Sequence, residues 1–142
     1  MGNLSCFLAQ NAIKKENEKY IASMRFRDEG EKPVEWEIRA ITSKEDEEIR
    51  KECTRRVPVA GKKGQYAQET DYNKYLGKMA AACTVFPNLK DTDLQNSYGV
   101  MGDDLLLKTM LTAGEYAQYI ERVQNVNGFD TSMEEMVEEA KN

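Results

Sequence analysis

The chain has no histidine among its 142 residues. That absence excludes a histidine general base, a histidine-containing nucleophile triad and any histidine-ligated zinc centre. Cysteine is scarce too. Cys6, Cys53 and Cys83 show no metal-ligand spacing and cannot all pair, so they read as reduced thiols in a cytoplasm. Cys83 falls on an apolar helix face as a small buried side chain. No apolar run approaches the roughly 18 residues of a membrane-spanning helix. The opening lacks the basic start and apolar centre of a secretory leader, so no leader is expected. Positive charge is in the minority. Lys and Arg number 20 against 25 Asp and Glu, a net charge of −5, which argues against general attraction to nucleic acid. Arg55, Arg56, Lys62 and Lys63 form one basic cluster, read as a solvated loop. There is no internal repeat and no long linker.

Short motifs fail on inspection. Gly61-Lys62-Lys63-Gly64 is superficially like a phosphate loop, but Arg56 stands where the first glycine is needed and Lys63 where Ser or Thr must ligate magnesium. Met1-Gly2 is not followed by the Ser or Thr that myristoylation requires, because position 6 is Cys6. Asn3-Leu4-Ser5 matches a glycosylation triplet in a chain with no other sign of secretion. The acidic runs Glu45 to Glu48 and Glu134 to Glu139 read as solvated faces rather than desolvated catalytic pockets. Asp103-Asp104 suits a helix N-terminus better than a metal. No catalytic residue, cofactor site or metal site is expected, and the chain is read as not an enzyme.

What is present is a sequence of well-punctuated elements. The length fits one domain over 1–142, with an N-terminal arm or helix over 1–18. A β-hairpin, a charged helix and a basic loop occupy 19–69, and a helical part occupies 70–142. In the hairpin, Tyr20, Ala22, Met24 and Phe26 alternate with polar or outward positions, as do Val34, Trp36, Ile38 and Ala40 after a turn. Trp36 should face the core. Thr42 and Glu45 have capping-box spacing and open a helix over 43–56. Val57-Pro58-Val59 is extended, and a short strand is expected at 65–68. Tyr72, Tyr75, Leu76, Met79, Ala80, Cys83 and Phe86 share one face of a helix over 71–86 that Pro87 stops. Further helices are expected from Asp91 to near Gly99, over about 103–111, from Thr112 to about Val126, and from Thr131 onward. The fold class is α+β: a small antiparallel β-hairpin unit plus a mainly helical C-terminal half.

Candidate partner-binding residues follow from the helical faces. Tyr119 lies off the Tyr116, Ile120 and Val123 face and is expected to be exposed. Phe129, Met133, Met136 and Val137 belong to a last acidic helix that either docks on its own domain or offers a deformable apolar face to a partner.

The opening MGNLSCFLAQNAIKKEN, the segment PVEWEIRAITSKED, the block CTRRVPV with GKKGQY, the stretch from Tyr66 to Asp130 and the ending GFDTSMEEMVEEAKN together resemble the XkdN-like tail assembly chaperones of phages and prophages of Gram-positive bacteria with PBSX-type tails. The resemblance runs through nearly the whole chain. It implies a noncatalytic role in tail construction in the cytoplasm of the bacterial host: binding the tape measure protein and helping recruit tail tube protein, with absence from the mature virion. No nucleic acid or membrane partner is implied, and self-association is left open. The alternative reading is a structural virion component such as a connector or portal-associated protein. Such chaperone genes commonly carry a −1 frameshift near the end of the first frame. Ala140-Lys141-Asn142 permits, without requiring, a slippery A-AAA-AAC heptamer and hence a longer product.

Overall fold

Alternation puts Trp36 and Ile38 on one face of a strand, and the sheet forms around them. The structure is a computed structural model that describes residues 2–129. Strand β1 (Glu18–Tyr20) pairs antiparallel with β2 (Trp36–Ile38), Tyr20 opposite Trp36. The expected hairpin is therefore present, but each paired strand is three residues long. Residues 21–35 leave the ladder because Ala22 and Ser23 are both buried, which breaks the period-two pattern. Met24, expected inward, is exposed, and an Arg27 to Pro33 bridge closes the excursion. Trp36 faces the core as expected.

After β2, the Thr42 hydroxyl accepts from the Glu45 N–H at 3.2 Å and the Glu45 carboxylate accepts from the Thr42 N–H at 3.0 Å. This capping box opens α1 (Ser43–Glu52). The helix stops four residues short of the expected 56. Thr54–Pro58 instead forms β3, antiparallel to β4 (Tyr66–Thr70), with a Thr54–Thr70 hydroxyl contact of 2.8 Å at its base. Valine, threonine and proline favour extended backbone there once a partner strand is present.

Helix α2 (Tyr72–Cys83) is capped by Asp71, and Tyr75, Met79, Ala80 and Cys83 are buried. Two expectations fail at its ends. Tyr72 is 56% exposed because it sits in the first turn, where its ring meets that of Tyr75 at 5.5 Å. Thr84–Phe86 is not helical but forms β5, the third strand of a sheet ordered β1-β2-β5. Thr84 donates back to the Ala80 carbonyl at 2.7 Å while its backbone pairs with Ile38. Phe86 is consequently 51% exposed rather than part of the helix core.

The remaining helices lie close to their expected limits: α3 (Thr92–Ser97) behind Asp91, α4 (Asp103–Met110), and α5 (Ala113–Val126) behind the Thr112–Glu115 capping box. Gly128, at φ 85°, closes α5 while the Phe129 N–H reaches the Gln124 carbonyl at 2.8 Å. Helix α2 packs against α1, α4 and α5, and the sheet supplies Trp36 and Ile38 to the same core. Gly77 permits a close approach: a methyl group there would lie 3.1 Å from the Tyr116 hydroxyl and 3.2 Å from Lys108 Cε. The mixed helices and small antiparallel sheets make the fold α+β.

Tyr119 requires a correction. It is fully buried, at 0% exposure. Its ring meets Trp36 edge-on at 5.2 Å and Tyr20 at 6.1 Å, and its hydroxyl lies 2.7 Å from that of Thr84. Helix α5 is covered on more than one side, so its buried arc is wide enough to include Tyr119 with Ile120, Val123 and Val126.

Gly2–Phe7 is a short 3-10 helix, followed by an arm tied down through a Lys15 side-chain bond to the Val126 carbonyl and an Asn17 bond to Glu37. Met133, Met136, Val137 and the expected last helix lie outside the described residues.

Candidate interaction surface

The excursion 21–35, the edge strand β5, α3 and α4 meet at one open groove. Phe26, Val34, Phe86, Pro87 and Leu94 line it, with buried Trp36 and Met110 beneath. Its form follows from local structure. Strand alternation turns Trp36 inward, and the bulge between Glu37 and Ile38 sets Phe86 opposite Glu37. The Phe26 ring stands 6.1 Å from Trp36. Strand β5 is an edge, and among the described residues no strand pairs with its outer side. Unpaired backbone donors and acceptors beside an apolar groove form a surface that can accept an extended or helical segment of another protein.

The rim is cationic. The Arg25 guanidinium lies 5.1 Å over Phe26, donates to the Met110 carbonyl at 2.7 Å and pairs with Glu115 at 2.8 Å. Glu115 is pushed down to about 2, first by the bond from Arg25, then by Ser23 and by the Thr112 N–H. Its folded pKa lies below the ordinary value of 4.5, so the unfolded chain takes up the proton first. The contribution is present above pH 4.5 and is lost as pH falls towards 2. Between those limits the midpoint of urea unfolding should fall less for Glu115→Gln than for the natural chain; equal slopes would contradict this assignment.

Glu45 and Asp46 of α1 have structural partners. Glu45 pairs with Arg39 at 3.0 Å, which lowers its pKa. Asp46 pairs with Arg50 at 3.2 Å and accepts from the Tyr75 hydroxyl. Burial, together with that contact to Asp46, raises Tyr75 to about 12. Asp103 accepts from the Asp104 N–H at 2.8 Å, in the helix N-terminal role expected for it. Cys53 and Cys83 are buried, and desolvation raises both thiols, which makes them poor nucleophiles. Among the described residues no group of three Cys, Asp or Glu could hold a metal ion. No helix there is long and apolar enough to cross a membrane.

Of the residues singled out in the sequence, Tyr119 is core. Phe129 is 53% exposed in a hollow with Ile41, Thr42, Ser43, Asp46 and Asn127. That hollow is at the C-terminal end of α5, whereas Arg25 and the groove rim meet its N-terminal end, about 20 Å away along 14 residues. The groove residues Val34, Phe86, Pro87 and Leu94 were not recognised as a site. The available signal was the Thr84-Val85-Phe86 run before Pro87, which has strand character.

These features define a small α+β protein with an open apolar groove beside an edge strand. The chain belongs to the family described as Phage XkdN-like tail assembly chaperone protein, which it matches over residues 4–141. It is a chaperone family and not a catalytic one. The chain is 32% identical to the uncharacterised protein YqbN of Bacillus subtilis (strain 168), over 99% of this chain and 93% of that protein. It is 29% identical to the phage-like element PBSX protein XkdN of the same organism, over 99% and 94% respectively. The crystal structure of YqbN superposes with a TM-score of 0.75 at 27% identity, covering 89% of this chain and 97% of the other. A role in phage tail assembly follows from this membership.

Proposed function

We propose that this chain binds the tape measure protein in the host cytoplasm while a long phage tail is built, and helps recruit tail tube protein around it. It does so as one domain over 1–142 and leaves before the virion is mature. The observation that supports this reading is the open apolar groove beside the free edge of β5, in a member of a tail assembly chaperone family. An apolar segment of a tape measure protein would bury its side chains against Phe26, Val34 and Phe86 and add backbone bonds along β5. Phe129, with Met133, Met136 and Val137, supplies a second contact, and several weak contacts on a long partner raise avidity without nucleotide hydrolysis.

The test is co-expression with the tape measure protein, followed by affinity capture of the natural chain and of a chain truncated after Gly128. Truncation is expected to leave the unfolding midpoint within a few degrees and to reduce capture severalfold. Loss of the fold would make the last segment core. Undiminished capture would remove Phe129, Met133, Met136 and Val137 from the contact. No capture by the natural chain, with stoichiometric presence in purified particles, would establish the structural-component alternative.

A further inference from the structure

Strands β3 and β4 form a basic ribbon on an acidic chain. Residues 54–70 carry Arg55, Arg56, Lys62 and Lys63 against Glu69 alone. The two strands pair only with each other, and most of their residues are exposed. The ion pairs of the described residues include none of the four cations. Arg56 instead lies 4.7 Å over the Tyr66 ring, and Arg55 stands opposite Glu69 in register without pairing to it. A two-stranded ribbon is marginal by itself, and crowded like charges weaken it further. It therefore presents a strong demand for negative charge.

Residues 130–142 have the complementary composition: Asp130, Glu134, Glu135, Glu138 and Glu139 against Lys141. The described chain reaches them from Phe129, which lies beside Ser43 and Asp46 in the first turn of α1. The ribbon departs from the other end of that helix, at Thr54. Helix α1 spans about 15 Å, and the ribbon adds up to about 20 Å to its tip. Residues 130–139 can extend to about 33 Å before side chains are counted. Every cation of the ribbon is therefore within reach of the acidic residues of the same chain.

We infer that residues 130–142 dock along the β3–β4 ribbon of their own chain, with Glu134, Glu135, Glu138 and Glu139 set against Arg55, Arg56, Lys62 and Lys63. A nucleic acid fits less well, given the net charge of −5 and only four cations on a narrow ribbon. On the function proposed above, docking holds Met133, Met136 and Val137 in reserve until a partner competes for them. The docking itself does not depend on that function.

Zero-length carbodiimide coupling of the full chain tests it with no partner present. An equal mixture of ordinary and ¹⁵N-labelled chains is treated at low salt and digested for mass spectrometry. Lys62 or Lys63 should be joined to Glu134, Glu135, Glu138 or Glu139 in isotopically uniform pairs. The yield should fall at least about fivefold in 1 M NaCl, where the screening length is about 3 Å. Arg55→Glu with Arg56→Glu should lower it severalfold, while coupling of the Lys19–Glu37 ion pair persists as a marker of the folded state. Absence of ribbon-to-tail coupling beside intact Lys19–Glu37 coupling overturns the inference. Isotopically mixed pairs would show that the occupant comes from a second copy, and suppression by a short oligonucleotide at about 0.15 M salt would show a nucleic-acid site. Either result also overturns it.

Discussion

Tyr119→Ala should lower the free energy of unfolding by about 3–5 kcal/mol, the range for removing a large buried aromatic side chain. Tyr119 has no exposed surface and joins Trp36, Tyr20 and Thr84 where α5 meets the sheet. Truncation opens a cavity between elements that cannot easily close on each other, since β1, β2 and β5 are held by their ladders. A domain of this size is stable by about 5–15 kcal/mol, so the loss is a large fraction of the total. Tyr119→Phe separates the ring from the hydroxyl. It should cost only about 1 kcal/mol, because the Thr84 hydroxyl keeps the Ala80 carbonyl as a partner. Urea denaturation followed by Trp36 fluorescence measures both. A Tyr119→Ala variant within 1 kcal/mol of the natural chain would restore the outward face first expected for this residue.

Phe86→Asp should reduce capture of the tape measure protein by about tenfold or more, the loss expected when a central apolar contact becomes a charge. Phe86 is half exposed on an edge strand, so the free chain should tolerate the change with a stability loss of about 1 kcal/mol or less. Met101→Asp is the matched control, since Met101 is 90% exposed and does not line the groove. Equal loss from both variants would indicate a general charge effect. No loss from Phe86→Asp would exclude the groove as the contact.

Much of the architecture was legible from local signals. Thr42 with Glu45, Asp91, and Thr112 with Glu115 mark helix starts by chemistry that operates within three residues. Gly128 closes α5 for an equally local reason, and alternation alone turned Trp36 inward. The groove was less legible, because its lining comes from segments that only tertiary packing brings together. Val34 and Phe86 are more than fifty positions apart, and each pattern places its residue within its own element, Val34 in a strand and Phe86 on a helix face, with nothing to join them.

Local chemistry and pattern therefore establish the caps, the helical faces and the α+β class, and collinear similarity establishes the family. Tertiary structure decided the rest. Thr84-Val85-Phe86 continues the apolar face of α2 in sequence, yet it becomes β5 because pairing with β2 satisfies its backbone and suits its β-branched residues. Thr54–Pro58 leaves α1 for the same reason once β4 is available as a partner. Tyr119 is buried because α5 has neighbours on more than one side, and the width of a buried arc depends on what surrounds a helix. A periodic pattern identifies which residues share a face; only the packed neighbours decide how many of those faces are covered.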